Sequence, residues 1–411
     1  MMNRATRKAL YKLDHLTINA WTAFPIFILV VYFIFWCTFS LGQYPMDWIQ
    51  AGVDAVAMWL NAILRPEWLR ALVVDGILAG VGGVLVFLPN IIILYLLISV
   101  MESTGYMGRA AFIMDKVMHG MGLHGKSFIP MIMGFGCNVP AIMATKDIQN
   151  PKNRLITILV IPFMSCSGRL PVYLLFVAAF FPSKGPLVLM GIYCLGMVLA
   201  ICAAKILSLI LPGKSEHDNV DIRPYTVPDI GYVIGNTWSQ AKEYLQKLAG
   251  PILIFSVALW IAGYFPRAEQ GASAVQQKEQ SYIGMMGRAM DPVLQPIGLN
   301  WKDGVAIVAG VGAKELIVST LGVMYGDQAN NADTDEGSHA GIQGALAATH
   351  TTAGAIAFLV FVLLYFPCIG TFVALRNATG SWKWAIGSCV HNIIIAWVMA
   401  FAAFRLFTVL L

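Results

Sequence analysis

The sequence predicts an all-α polytopic membrane protein built from two repeated, inverted gate modules, each with broken helices or re-entrant hairpins at its centre. Three observations predict it. The 411 residues are 58% hydrophobic and only 12% charged, against roughly 25% charged in an average soluble domain. The apolar residues fall into runs long enough to cross a bilayer, which takes about 20 helical residues. Several short sequences also occur twice, in the same order.

In chain order, Arg4, Arg7, Lys8 and Lys12 precede a charge-free run over 21–46. That run is too long for a signal-peptide core and lacks a small-residue cleavage pattern, so it predicts a first transmembrane helix with a cytoplasmic N-terminus. Residues 51–64 are amphipathic and are expected at the outer interface, closing an N-terminal unit over 1–70. A first gate repeat is expected over 71–211. It contains a run over 76–101 with Gly80, Gly82 and Gly83 for close helix contact and Pro89 for a kink. A surface helix over 105–121 and spans over 155–183 and 185–211 follow. Residues 212–247 read as a cytoplasmic loop with an amphipathic helix over 238–248. A second gate repeat is expected over 248–411, with apolar runs at 248–266, 304–326, 337–375 and 384–404.

The chain is organised around two apolar stretches interrupted at their middles. KSFIPMIMGFGCNVPAIMATK, over 126–146, is broken by Gly134, Gly136, Asn138 and Pro140; LITILVIPFMSCSGRLPVY, over 155–173, is broken by Pro162, Ser165, Ser167, Gly168, Arg169 and Pro171. Each break carries a cysteine, Cys137 or Cys166. Irregular backbone at membrane depth is tolerated where it lines a cavity or is buried in protein, and freed carbonyls beside soft side chains make a natural cation site. The pattern is that of a transporter.

The repeat is visible within the chain itself. Met107-Gly108-Arg109-Ala110 recurs as Met286-Gly287-Arg288-Ala289. Gly122, Leu123, Lys126, Gly134 and Gly136 recur 176 residues later as Gly298, Leu299, Lys302, Gly310 and Gly312, and Cys166-x-Gly168 recurs 202 residues later as Cys368-x-Gly370. The additional spacing fits a polar insertion over 327–339. If 127–145 and 304–326 are hairpins, seven spans remain and the repeats are inverted; if both cross fully, they are not. The distribution of Lys and Arg over the loops favours hairpins.

GFGCNVPAIMAT, SCSGRLPVY, VGAKELIVSTLGVMYG, YFPCIGT, LVVDGILAGVGGVLVFLPN and ESTGYMGRAAFIMD together resemble the membrane domain of the bacterial ferrous iron transport protein B family, over nearly the whole chain and in the family's order. The resemblance implies Fe(II) as transported ion and uptake across the inner membrane of a bacterium. It also implies that the cysteines of the GFGC and YFPC motifs, here Cys137 and Cys368, handle the ion, with Cys166 close by. As partners it implies a GTP-binding protein or domain supplied separately and a small cytoplasmic iron-transport accessory protein. Two departures matter. Typical members begin with a GTPase domain that carries a Gly-rich phosphate loop and a guanine-specificity motif, and this chain is expected to lack that domain, to hold no GTP site and to be no enzyme. The start MMNRATRK reads as a natural translation start, so a split system is preferred over a shortened chain. The family also has Glu-Asp-Ser-Gly-Tyr-Met where this chain has Glu102-Ser103-Thr104-Gly105-Tyr106-Met107, which weakens any role for a second carboxylate there.

Fe(II) is a borderline cation that accepts thiolate, imidazole, carboxylate and carbonyl ligands, although affinity alone does not separate it from Mn(II) or Zn(II). The candidate transport and metal residues are Cys137, Cys368, Cys166 and Glu315. Gly134, Gly136, Asn138, Pro140, Ser165, Ser167, Gly310, Gly312 and Lys314 are expected as gate backbone and path lining, with Arg169 as a structural clamp on carbonyls. Lys314 and Glu315 are alternatively a pair that locks the gate, with each other or with Arg169. Cys37, Cys194, Cys202 and Cys389 are read as packing residues, and so are the lone histidines His350 and His391. The acidic stretch over 327–339 lacks the glycine spacing of an EF-hand and reads as a polar loop. The net charge of +5 is modest and spread over loops, so nucleic acid is not expected. The lipid bilayer is the expected surrounding, and a homo-oligomer stays open. Two other classes remain: a nucleoside-transporter-like permease for an organic solute, and a membrane scaffold that docks a G protein through 212–247. Neither needs the cysteines.

Overall fold

The computed structural model describes residues 20–212, 225–267, 274–326 and 335–410, and among them helices dominate and no strand occurs. Most of the acidic insertion, 327–334, lies outside the described residues, as do the N-terminal basic residues.

The chain opens with α1 (Ala20–Trp36), a π-helical turn at Cys37–Leu41, and α2 (Gly42–Ile63), which together make one unbroken helical rod over Thr22–Ile63 of 42 residues. The expected separate interfacial helix at 51–64 is instead the end of this rod. The helix runs on past Pro25 and Pro45 to Leu64, whose ψ of 106° ends it just ahead of Arg65-Pro66. At 1.5 Å per residue the rod is about 60 Å long, roughly twice the hydrocarbon thickness.

A second rod returns through α3 (Glu67–Ala71), a π-helical turn at Leu72–Leu78, and α4 (Ala79–Thr104). Gly105, at φ 80°, stops it in the left-handed conformation that only glycine adopts cheaply, and α5 (Tyr106–Gly120) follows. Then come α6 (Phe128–Gly136) and α7 (Asn138–Ala144), α8 (Pro151–Val160) and α9 (Leu170–Phe180), and the uninterrupted α10 (Gly185–Ile210). Asn150 caps α8 by accepting from the amides of Lys152 and Asn153, with Pro151 at its first turn.

Next, α11 (Ile230–Tyr264) is a single 35-residue helix. The amphipathic segment at 238–248 and the apolar run after it are therefore one element, and residues 247 and 248 lie inside it. Ser256 of α11 donates to the Gly76 carbonyl at 2.9 Å, and a Cβ on Gly80 would stand 2.7 Å from Ser256 Cβ. Of the three glycines expected to allow close helix contact, Gly80 admits α11 and Gly82 admits Val53 of α2, whereas Gly83 faces open space.

The chain continues through α12 (Ala274–Gln280), α13 (Tyr282–Leu294), α14 (Trp301–Ala309), α15 (Leu316–Gly326), α16 (Asp335–Thr349), α17 (Thr352–Leu364), α18 (Ile369–Thr379) and α19 (Trp382–Leu410). Among the described residues seven helical stretches are long and apolar enough to cross a membrane. The two broken stretches, Pro151–Phe180 and Thr352–Thr379, are each 67% buried in their most apolar windows, against 6% for α11 and 11% for α19. The broken spans therefore form the centre, and the unbroken ones present apolar surface outward. In lipid, packing rather than transfer from water holds such a centre together. Phe176 of α9 and Phe358 of α17, both fully buried, stack with ring centroids 4.4 Å apart.

Candidate functional site: two broken-helix modules in reciprocal contact

Four breaks build the site. Between α6 and α7 a single residue, Cys137, takes an extended conformation (φ −152°, ψ 129°). Proline at 140 suits the first turn of the restarted helix, where its missing N–H costs nothing. Cys166 is extended at the second break, ahead of a tight turn over Ser167–Arg169. The third break runs from Gly310 to Glu315, between α14 and α15. At the fourth, Cys368 (φ −59°, ψ 158°) precedes α18, and its Sγ lies 3.2 Å from Thr371 Oγ1.

The breaks meet across the repeats. A Cβ on Gly168 would stand 2.9 Å from Glu315 Oε1 and 3.5 Å from Lys314 Cβ, so the second break abuts the third. A Cβ on Gly370 would stand 3.4 Å from Val139 Cγ2, so the fourth abuts the first. Gly370 is the repeat counterpart of Gly168, and Val139 is the counterpart of Glu315, at the spacings of 202 and 176. Ser167 Oγ donates to the Gly136 carbonyl at 2.9 Å, while its counterpart Ile369 donates its amide to Val311 at 2.9 Å. The glycine contacts are thus equivalent in the two repeats, whereas the hydrogen bond is shifted by one residue, since the counterpart of Gly136 is Gly312.

The side chains on this shared scaffold differ. Cys137-Asn138-Val139 in one module stands where Ala313-Lys314-Glu315 stands in the other. Cys137, Cys166 and Cys368 are half-buried and near enough to one another and to Glu315 to interact electrostatically. No group of three or more His, Cys, Asp or Glu side chains among the described residues forms a ready-made metal cage. The arrangement gathers soft and hard ligands in one region without chelating geometry. Cys37 and Cys389 are buried, and Cys194 and Cys202 are exposed on α10.

The cationic groups are tied to carbonyls. Arg169, fully buried, donates through Nη1 to Met164 O at 3.0 Å and through both Nη atoms to Pro162 O at 3.3 Å. These are carbonyls freed by the break. Lys314 Nζ donates to Phe366 O at 2.7 Å and lies 3.3 Å from the centroid of the Tyr365 ring. Neither pairs with Glu315, whose half-buried carboxylate is left beside Gly168. Asn138 is 3% exposed and its Oδ1 has no hydrogen-bond partner, one residue from Cys137.

Other candidates have packing duties. Ser165 is buried and its hydroxyl donates to Tyr173 Oη at 3.0 Å. Gly134 admits Met164, Gly136 admits Phe35, Gly310 admits Ile317 and the Tyr365 hydroxyl, and Gly312 admits Phe255. Thr371, Tyr365 and Phe366 were missed from the sequence. The available signal was the repeat itself, since Thr371 is the counterpart of Arg169 and Phe366 that of Met164.

The family model described as "Nucleoside recognition" matches residues 84–180 and 245–382, and the model described as "Ferrous iron transport protein B C terminus" matches residues 189–240. Over 96% of the chain, it is 44% identical to the Fe(2+) transport protein A/Fe(2+) transporter FeoB fusion protein of Porphyromonas gingivalis, covering 51% of that protein. It is 40% identical to the Fe(2+) transporter FeoB of Campylobacter jejuni over 97% of the chain and 66% of the relative. For the Fe(2+) transporter FeoB of Staphylococcus aureus (strain MSSA476) the values are 38%, 96% and 59%. The chain thus spans about half to two thirds of the length of these relatives. No solved structure matches it.

Proposed function

The chain belongs to the bacterial ferrous iron transport protein B family, and we propose that it carries Fe(II) across the cytoplasmic membrane into the cell. The ion passes between the two broken-helix modules, exchanging water for the thiols of Cys137, Cys166 and Cys368 and the carboxylate of Glu315. The observation that carries this reading is the reciprocal contact of Gly168 with Glu315 and of Gly370 with Val139, which gathers those ligands from four breaks. A transport site must bind and release. Ligands spread over four separately anchored breaks suit that better than a closed cysteine cage, because moving one module changes the ligand set. Asn138 Oδ1 and the carbonyls of the breaks supply harder oxygen ligands along the same path. Arg169 and Lys314 hold the break carbonyls that the ion does not use.

In this reading the repeats are inverted, the N-terminus is cytoplasmic, and a GTP-binding partner gates the inner side. The GxxxxGK[ST] match at 120–127 joins α5 to α6 with no strand before it, which is not the strand–loop–helix setting of a phosphate loop. A small accessory protein is a second partner, in keeping with the relative whose name joins Fe(2+) transport protein A to the transporter.

The test is anaerobic Fe(II) uptake into proteoliposomes that contain the purified chain, with Mn(II) and Zn(II) as competitors, before and after a family GTPase is supplied. Saturable Fe(II) entry that the competitors suppress only partly is the expected result. Folded protein that admits no Fe(II) under either condition contradicts the proposal.

A further inference from the structure

Outside the four breaks, the described residues contain one completely enclosed acid–histidine pair. The side chains of Asp303, on α14, and His350, just before α17, are 0% and 1% exposed, and His350 Nε2 lies 2.8 Å from Asp303 Oδ2. Asp303 also accepts from the Asn300 amide at 2.9 Å and from Tyr325 Oη at 3.1 Å. A carboxylate can only accept, so Nε2 carries a hydrogen and donates it. The variable proton is therefore the one on Nδ1. That nitrogen has no hydrogen-bond partner, although the Leu346 carbonyl is near enough to favour a proton on the ring.

We propose that His350 and Asp303 form a proton-binding site that locks the second broken module: with Nδ1 protonated the lock is closed, and loss of that proton loosens it. The pair joins α14, which leads into the break at Gly310, to the start of α17, the helix that leads to Cys368. Proton loss breaks the Nδ1–H bond, leaves the electron pair on nitrogen and passes the proton to water. The Nε2–H···Oδ2 contact persists but changes from an imidazolium–carboxylate ion pair to a hydrogen bond from a neutral imidazole to the carboxylate, losing the attraction between opposite charges.

The repeat supplies an internal control. At the spacings of 176 and 202 residues, the first module has Ser127 where the second has Asp303, and Ile148 where it has His350. Both counterparts are buried, so the scaffold packs at this position without any titratable group. Other charged groups nearby have their own partners. Lys302 Nζ donates to Met324 O and stands over the Tyr325 ring, and Arg288 of α13 pairs with Glu279 and lies over the Trp301 ring. From α9 the pair meets the Phe176 ring. Burial works against a charged imidazole, but the bonded Asp303 carboxylate outweighs it and holds His350 above its ordinary value. The stabilisation is therefore complete below the ordinary histidine value of about 6.5 and is lost as pH rises through the higher folded value.

The lock itself is independent of the transport reading; only its effect on metal flux rests on it. The test uses metal-free full-length protein in lipid nanodiscs. Hydrogen–deuterium exchange of 301–309 is followed between about pH 5 and 9, corrected for the chemical rate, beside a 15N-histidine titration. The expected result is a several-fold loss of protection across the His350 titration. His350→Gln and Asp303→Asn abolish the step, and Tyr325→Phe keeps it. A step that survives in either folded variant, or a His350 that does not titrate in this range in the wild type, overturns the proposal. If both variants fail to fold, the wild-type titration decides: protection and His350 must change at the same pH.

Discussion

A Cβ added to Gly168 would stand 2.9 Å from Glu315 Oε1, so these two residues of different repeats pack with no room for a side chain between them. The counterpart contact, Gly370 on Val139, has ordinary van der Waals spacing at 3.4 Å. Gly168→Ala is therefore expected to displace the Glu315 carboxylate, which can rotate away, and to lower Fe(II) flux several-fold with a stability change below about 1 kcal/mol. Gly370→Ala is expected to leave flux nearly unchanged. Uptake and melting temperature measured on both variants check this, and equal effects on flux would contradict it.

Arg169→Lys tests the carbonyl clamp. One ammonium on a flexible stem cannot reproduce the planar fork that reaches Pro162 O and Met164 O. Leaving a buried carbonyl unpaired costs about 1–3 kcal/mol. The variant is expected to melt several degrees lower and to lose flux through disorder of the Cys166 break. Unchanged melting would show that the clamp is dispensable.

Lys314→Met removes the donor to Phe366 O and the contact with the Tyr365 ring. The lost bond destabilises, whereas removing a buried ammonium relieves its desolvation cost, so the two effects offset in part. The expected net change is a loss of about 1–2 kcal/mol, smaller than for Arg169→Lys. A thermal melt of the two variants side by side gives the order directly.

Ser167→Ala deletes the hydroxyl that donates to Gly136 O across the first two breaks. A single hydrogen bond of this kind is worth about 0.5–1.5 kcal/mol, so the variant should fold. If the two breaks must stay registered for Cys137 and Cys166 to serve one ion, Fe(II) flux should fall by more than the small change in melting would suggest. Flux that tracks folded protein in strict proportion would make Ser167 a stability residue alone.

Much of this was legible in the sequence because breaks and repeats are local signals. Gly134, Gly136, Asn138 and Pro140 mark the first break, and the spacings of 176 and 202 residues pair it with its counterpart. Helix continuity was less legible. Residues 51–64 and 238–248 have amphipathic patterns that read as separate surface helices, yet each belongs to a longer rod, since periodicity does not reveal whether the backbone stops. The partners of charged groups were not legible either. Lys314 and Glu315 are adjacent and suggested a pair, but Lys314 turns to a carbonyl 52 residues away. His350 read as a lone packing residue because Asp303 lies 47 residues earlier. Such pairings depend on how breaks and helices from distant parts of the chain come together, which neither composition nor spacing encodes.

The central claim, that the thiols of opposed breaks lie on one ion path, is tested most directly by anaerobic Fe(II) uptake into proteoliposomes carrying the wild type or the double variant Cys137→Ser, Cys368→Ser, with any GTP-binding partner that uptake requires. The account predicts that Fe(II) entry is lost in the variant while its insertion and melting match the wild type. Undiminished entry through the double variant would contradict it.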